Sequence, residues 1–116
     1  MADNYLTHNE ESGTIHIAED VVAMIVADSV REIEGVGSMS QNSGEQRHGK
    51  KVTRSIRIEE DGDAVIVDIY LMVRYGFAIP EVAQKVQEKV ASTVSDMTGF
   101  PVRSVNVHVS GISFND

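Results

Sequence analysis

Two histidines of this 116-residue chain, His16 and His108, stand where alternating strand patterns turn both side chains away from an aliphatic face. Imidazoles bind metals and titrate near neutral pH, so a two-histidine metal site or a pH switch is one interpretation. No acidic residue lies at a spacing that would complete a ligand set, which favours ordinary surface histidines. We therefore predict no metal and no other cofactor.

Other polar residues accompany His108. Asn106 lies two residues before it on the same side of a strand pattern, where both could form a polar site with Tyr70 or Arg57. This spacing supports no serine–histidine–acid arrangement, so we predict no catalytic residues and no enzymatic activity. The carboxylates of residues 59–63 lie between strand patterns rather than helices, which favours a hairpin turn over a calcium loop.

The most pronounced electrostatic feature is a basic segment in the middle of an acidic chain. It comprises Arg47, Lys50, Lys51, Arg54 and Arg57, in a chain of net charge −8. These residues are candidate contacts for an anion or a lipid, since each charge near an anionic membrane gains about 1 kcal/mol. The alternative is a solvated loop and an edge strand protected by charge. The overall negative charge argues against nucleic acid as a partner.

The composition indicates a soluble intracellular domain. The chain has no cysteine, which excludes disulfides and thiolate sites. Its longest apolar run, residues 21–27, is too short to cross a bilayer, so we expect no direct membrane span. The first residues lack the basic and apolar regions of a signal peptide.

Hydrophobic periodicity predicts the elements that position these residues. Alternation predicts strands at about 14–17, 52–59, 64–75 and 103–110, and helical spacing predicts helices at about 19–34 and 79–97. This order, strand-helix-strand-strand-helix-strand, predicts an α+β two-layer sandwich of split β-α-β type, with two helices on one face of a four-stranded sheet. A single domain is expected over 13–114, with a flexible tail at 1–12 and a mobile loop at 37–51.

The second helix carries its own start and stop signals. Pro80 suits the first helical turn, and Gly99 suits a left-handed cap at the end. Just before this helix, Phe77 and Ile79 are interpreted as core anchors rather than as the lining of a ligand pocket.

The longest strand has a second apolar face. Ile66, Tyr70 and Met72 alternate with the aliphatic residues that two helices would cover. The face they occupy would then be open, which predicts a contact surface for self-association or for a partner. The alternative is that the 37–51 loop or a terminus folds over it.

A long pattern in the last third resembles a known family. Its residues are Tyr75, Gly76, Ile79, Pro80, Glu81, Val82, Gln87, Thr98, Gly99, Asn106, Val107, His108 and Val109. Their order resembles the alkaline shock protein family, the Gls-type envelope stress response proteins of Gram-positive bacteria. The match extends from about Gly13 to Phe114.

The resemblance implies a non-enzymatic role in cell-envelope homeostasis. Members are small cytoplasmic proteins, some of which form higher-order assemblies. Some lie along the inner face of the cell membrane, held by a small membrane-anchored protein of the same family. We therefore expect a homo-oligomer that docks to such a partner, cytoplasmic or peripheral at that face. One branch is linked to fatty-acid synthesis, so a regulatory partner of acetyl-CoA carboxylase is one alternative, and a small RNA-binding domain is another.

Overall fold

The computed structural model describes residues 5–39 and 55–114, and these form two helices and six strands. In chain order the elements are β1 (Tyr5–Glu10), β2 (Gly13–Ala18), α1 (Glu19–Arg31), β3 (Val36–Met39), β4 (Ile56–Asp61), β5 (Ala64–Arg74), α2 (Ile79–Thr98) and β6 (Val102–Ser113). Neither of the two described helices is long and apolar enough to cross a membrane. This arrangement confirms the predicted α+β fold class.

The centre of the four-stranded sheet is β5. On one edge β5 pairs in parallel with β6, and on the other it pairs antiparallel with both β3 and β4. A parallel neighbour requires a crossover connection, which α2 provides between β5 and β6. The sheet is therefore built around one strand that is hydrogen-bonded on both sides.

Both helices pack on the aliphatic face of β5. The inward side chains at alternate positions from Val65 to Val73 are fully buried. The helix residues that complete this core are spaced three or four apart: Val22, Val26 and Val30 of α1, and Val82, Val86, Val90 and Val94 of α2. Each buried aliphatic side chain contributes about 1.5–3 kcal/mol, so this layer supplies most of the hydrophobic stabilisation.

The strand predicted at 14–17 does not join this sheet, contrary to expectation. It is β2, which pairs with β1 in a separate two-stranded sheet. The place that it was expected to fill is taken by β3, which begins at Val36 and extends into the segment 37–51 that was predicted as a loop. Met39 of β3 pairs with Leu71, and the Ser55 carbonyl just before β4 accepts the Tyr70 amide at 2.9 Å. β3 and β4 thus follow one another along the same edge of β5, and the rest of the predicted loop lies outside the described residues.

The predicted tail also contains structure. Residues 5–10 form β1, and Leu6 is only 1% exposed within the hydrophobic core. The His8 ring lies 5.6 Å from that of Phe100 in an edge-to-face contact. The strand is held by its pairing with β2 along all six residues and by the one side chain that enters the core, although the segment is mostly polar. Residues 1–4 lie outside the described part of the chain.

The helix ends follow the sequence signals with one difference. α1 ends at Arg31, earlier than predicted, because the next two amides turn back to the carbonyls of Ser29 and Val30. α2 ends as predicted at Gly99, which has a φ of +82° and donates its amide to the Ser95 carbonyl at 3.0 Å. The end of α2 is followed closely by β6, which begins at Val102.

Candidate interaction face and open sheet edge

The side chains of the main sheet that point away from the helices form what we call the outer face. The three residues predicted as a contact face, Ile66, Tyr70 and Met72, all lie on it. Tyr70 is 42% exposed, and the other two are half-buried. Neither described helix packs on this side, because both are occupied by the aliphatic face of β5. The outer face thus presents an aromatic ring between two aliphatic side chains.

Strand register brings a polar cluster together beside Tyr70. Asn106 lies opposite Asp68, and its Nδ2 donates to the Asp68 Oδ1 at 3.0 Å. His108 lies opposite Tyr70 and its Nε2 is 3.4 Å from the same carboxylate oxygen. The rings of His108 and Tyr70 are stacked, with centroids 4.4 Å apart and planes 13° apart. The carboxylate and the stack together hold both rings in one orientation.

This cluster partly matches the polar site suggested by the sequence. Tyr70, Asn106 and His108 come together as that interpretation required, and Arg57 lies on the neighbouring strand β4, where it is directly opposite Asp68. Asp68, which joins Asn106 to His108, was not anticipated. It is a lone acid in an apolar strand, and this is the signal that would have revealed it.

The structure separates the two histidines considered as a metal site. His16 lies in the β1–β2 sheet, where its Nδ1 is 3.3 Å from the Thr7 hydroxyl, and β2 has no pairing with β6. Within residues 5–39 and 55–114, no group of three or more His, Cys, Asp or Glu side chains could hold a metal ion. The acidic segment at 59–63 lies in a hairpin between two strands, as predicted, but its first three residues belong to β4 and only Gly62 and Asp63 form the turn to β5.

The basic segment lies mostly outside the described residues. Arg57 is the member that the structure describes, exposed on β4, and Arg47, Lys50, Lys51 and Arg54 are in the part of the chain that it does not describe. The grouping of these five charges therefore remains a prediction.

An aromatic pair lies at the end of the sheet where β5 and β6 finish. The rings of Tyr75 and Phe114 are stacked with centroids 5.1 Å apart, and both side chains are 71% exposed.

Phe77 and Ile79 are about two-fifths exposed at 39% and 41%, so the prediction that they anchor the core was wrong. Phe77 lies in the turn between β5 and α2, and Ile79 is the first residue of α2, so both stand at the margin of the core.

The hydrogen-bonding direction of β5 can be read from its ends. The amides of Val65 and Tyr75 donate to the carbonyls of Pro101 and Ser113, which flank or end β6. Because successive residues of a strand face opposite edges, the odd-numbered residues of β5 present their N–H and C=O groups to β6. Its even-numbered residues face β3 and β4.

The orientation of the β5 backbone determines which N–H and C=O groups of β6 are not hydrogen-bonded to β5. Val67 lies opposite Val105, so in parallel pairing it bonds to the residues on either side of Val105. The N–H and C=O groups of Val105, Val107 and Val109 therefore point away from β5. Among the described strands only β5 pairs with β6. We call this side of β6 the open edge.

One group on the open edge is occupied by a side chain. Gln87 of α2 donates its Nε2 to the Val105 carbonyl at 3.0 Å. The side chain reaches over the sheet from the helix layer and caps the edge near the beginning of β6. Gln87 is part of the predicted family pattern, and its role was not evident from the sequence because it depends on how α2 lies beside β6.

Comparison with known proteins identifies the group to which this fold and pattern belong. The model of the alkaline shock protein 23 family, which is described as having a cell envelope-related function, matches residues 7–114. The chain belongs to the alkaline shock protein family. The resemblance seen in the sequence is thereby confirmed.

Relatives of this alkaline shock family chain occur in Bacillus and Streptococcus. YqhY of Bacillus subtilis is 30% identical, with 99% of this chain and 91% of that protein covered. YloU of the same organism is 34% identical, covering 86% and 88%. Spy1535 of Streptococcus pyogenes is 36% identical, covering 89% and 81%. All three are uncharacterised proteins, so they establish kinship without adding an activity.

The fold is also similar to solved structures of MamM-CTD. A variant of it matches with a TM-score of 0.51 at 14% identity, covering 80% of this chain and 98% of that one. Its copper form matches with a TM-score of 0.52 at 15% identity, covering 84% and 90%. At such low identity the likeness concerns the fold alone.

Some residues of the family pattern build the ends of α2. Pro80 lies in its first turn, and Gly99 caps its end. The hydroxyl of Thr98 donates to the Val94 carbonyl at 2.7 Å and accepts the Phe100 amide at 3.1 Å. These contacts start and stop the crossover that brings β6 beside β5.

Other pattern residues collect on β6. Asn106 and His108 project to the outer face, and the backbone groups of Val107 and Val109 point to the open edge. The pattern therefore combines residues that shape the fold with residues that shape one side of its surface.

Proposed function

We propose that this chain is a non-enzymatic assembly module with a role in cell-envelope homeostasis. It self-associates through the outer face and docks to a small membrane-anchored protein of the same family. The observation that carries the proposal is the position of Tyr70, exposed between Ile66 and Met72 on the side of the sheet that neither described helix covers.

The outer face suits an interface because its aromatic centre is already ordered. Tyr70 stacks on His108, which in turn contacts Asp68. A ring that is fixed before binding loses little conformational entropy when a partner covers it. Aromatic side chains are also the residues that most often dominate the energy of an interface.

Charge supports the same side of the molecule. α1 and α2 together carry six acidic and three basic residues, so two helix layers would repel each other. On the outer face Arg57 of β4 lies directly opposite Asp68 of β5, so these two charges offset each other. Two copies of an acidic chain therefore approach each other more readily through the sheet.

Placement at the membrane rests on the family and on the basic segment. We propose that the protein is cytoplasmic and peripheral at the inner face of the membrane. There Arg47, Lys50, Lys51, Arg54 and Arg57 would contact anionic headgroups beside the anchored partner. Nothing in the described residues or in the comparisons favours a carboxylase regulator or an RNA-binding domain.

Sedimentation velocity over a wide concentration range tests self-association. The wild-type mass is expected to rise with concentration, and Tyr70→Ala is expected to shift that rise to concentrations about tenfold or more higher, as for the loss of a central aromatic anchor. Tyr5→Ala is the matched control, because Tyr5 is exposed on the separate β1–β2 sheet. A wild-type protein that stays monomeric throughout, or a Tyr70→Ala variant indistinguishable from wild type, would refute the assembly role.

Affinity capture from the host tests docking, with membrane and soluble fractions kept apart. Recovery from the membrane fraction together with a small membrane-anchored relative is the expected result. Recovery only from the soluble fraction, with no such relative, would contradict it. The Tyr70→Ala variant, captured in parallel, reports whether the outer face also contributes to docking.

A further inference from the structure

We propose that the open edge of β6 pairs antiparallel with the open edge of a second copy, in a register centred on His108. This inference rests on the proposed self-association and adds a surface distinct from the outer face. It would join the main sheets of two molecules into one continuous sheet.

The open edge has backbone groups that a strand would satisfy. Val107 and Val109 each direct an N–H and a C=O away from β5, and in the described residues no strand pairs with them. Proteins usually protect such an edge with charge, proline or a very short strand. β6 is 12 residues long, and after Arg103 it contains neither an Asp, Glu, Lys or Arg nor a proline.

Two features limit where another strand can lie. At one end Gln87 occupies the Val105 carbonyl. At the other end the register shifts beyond Val109, where Ser110 is the extra residue and donates its hydroxyl to the Leu71 carbonyl at 3.2 Å. Such a bulge interrupts regular pairing. The uncapped and regular part of the edge is therefore short, and its outward groups belong to Val107 and Val109.

This short stretch selects one symmetric register. If Val107 pairs with Val109 of the second copy, the reverse pair follows by two-fold symmetry, and four hydrogen bonds form. A register centred on Val107 would need Val105, whose carbonyl is capped, and one centred on Val109 would run into the bulge. The remaining centre is His108, which then faces His108 of the second copy.

Electrostatics favours a second copy as the occupant. The chain has a net charge of −8, so most of its surface repels another copy. From Ser104 to Ser113 β6 has no acidic residue, and two such edges meet without like charges other than those of protonated histidine. A two-fold pair also satisfies the outward groups of both copies at once, which an unrelated strand need not do.

The register makes a sharp prediction for cross-linking. His108 uses its backbone groups to pair with β5, so the two His108 residues form a non-hydrogen-bonded pair with Cα atoms about 4.5 Å apart. That distance is within the range of a disulfide. Because the chain has no cysteine, His108→Cys introduces a unique thiol.

Two further cysteine variants serve as controls. In the proposed register, the two Ser104 residues lie eight positions apart along the strands, about 26 Å, and cannot be bridged. The two Tyr70 residues lie three strand spacings apart, about 14 Å. Tyr70→Cys would be cross-linked only if outer faces stack on each other, so it reports on the proposed function independently of the edge.

The experiment oxidises each full-length variant with a glutathione buffer and measures disulfide-linked dimer by non-reducing electrophoresis. A dimer for His108→Cys and its absence for Ser104→Cys is the expected result. If His108→Cys cross-links no more than Ser104→Cys, edge pairing is wrong, whatever Tyr70→Cys shows. A Tyr70→Cys dimer in that case would leave self-association through the outer face standing.

Hydrogen exchange of the wild-type protein provides a test that needs no variant. The amides of Val107 and Val109 are expected to exchange rapidly in dilute solution. When half of the chains are paired, their exchange slows about twofold, since only the unpaired half exchanges. The His108 amide, already bonded within the sheet, should not change with concentration. Val107 and Val109 amides that stay equally fast in the oligomer would overturn the proposal.

Discussion

Replacing Gly35 by alanine tests how tightly the ends of the two helices and β5 fit together. Gly35 follows α1 with a φ of +102°, and its carbonyl accepts the Arg74 amide at 2.8 Å. A Cβ added there would lie 2.7 Å from the Val82 Cγ2 and 2.9 Å from the Phe77 Cδ2. Carbon atoms prefer about 3.5–4.0 Å, so the neighbours or the backbone must move.

The expected cost has two parts. Holding an L-residue at positive φ costs about 1–2 kcal/mol, and overpacking costs about 1–3 kcal/mol more. Gly35→Ala should therefore lower the free energy of unfolding by about 2–5 kcal/mol. Gly62→Ala is the matched control, because Gly62 also has a positive φ, +70°, but nothing lies within 4 Å of its added Cβ. Gly62→Ala should therefore lose only about 1–2 kcal/mol, which is what a positive φ costs an L-residue.

Urea denaturation monitored by circular dichroism measures the free energy of unfolding of both variants. The excess loss in Gly35→Ala over Gly62→Ala isolates the steric contribution. Combining Gly35→Ala with Phe77→Ala should recover part of that excess, since Phe77 is partly exposed while Val82 is buried. Equal losses in the two single alanine variants would refute the reasoning, because the close approach to Val82 and Phe77 would then carry no energy.

Two further substitutions test the described contacts by the same measurement. Leu6→Ala should lower the free energy of unfolding by about 2–5 kcal/mol because the side chain is buried. Tyr5→Ala is the control and should lower it far less. If both variants had similarly small effects, β1 would not be part of the folded domain. Thr98→Val should cost about 1–3 kcal/mol because it leaves the amide after Gly99 without its acceptor. Thr93→Val, in the same helix, is the control, and a Thr98→Val variant as stable as this control would contradict the capping role.

The last third of the chain was the most predictable from sequence. α2 has a proline at its start and a glycine at its end, and both act on the backbone directly. β6 alternates between apolar and polar residues from Val105 to Ser110, since one of its faces packs toward the helices. Along this segment the local sequence signals and the tertiary packing favour the same secondary structure, so the sequence pattern alone was sufficient to predict it.

The failures occurred where tertiary contacts outweigh local pattern. β1 is held by Leu6, one apolar residue in a polar segment, and no periodicity can arise from a single residue. β3 spans four residues, and its two apolar residues, Val36 and Met39, are three apart and do not alternate. Phe77 and Ile79 have core-like side chains, but one lies in the turn after β5 and the other begins α2, and both are partly exposed.

The polar cluster shows a different limit of sequence reasoning. Its members, Tyr70, Asn106 and His108, were grouped correctly because each lies on the outward side of its own strand. Asp68 lies on the same side of β5 as Tyr70, and it was missed because its contacts with Asn106 and His108 depend on the register between β5 and β6. Parallel pairing of β5 with β6 could be inferred from the helix between them, but the register that unites the four side chains could not.

The family pattern separates into two groups when its contacts are compared. Pro80, Thr98 and Gly99 are explained by the construction of α2, since they start, stop or cap that helix. Gln87 and His108 are not explained in this way, because a crossover helix and an edge strand form without a capped carbonyl or a stacked imidazole. Both lie where β6 meets solvent, one at the open edge and one on the outer face. The fold does not require Gln87 or His108, so their presence in the family pattern points to a role at the surface. The open edge and the outer face are therefore the places to look for contacts between molecules.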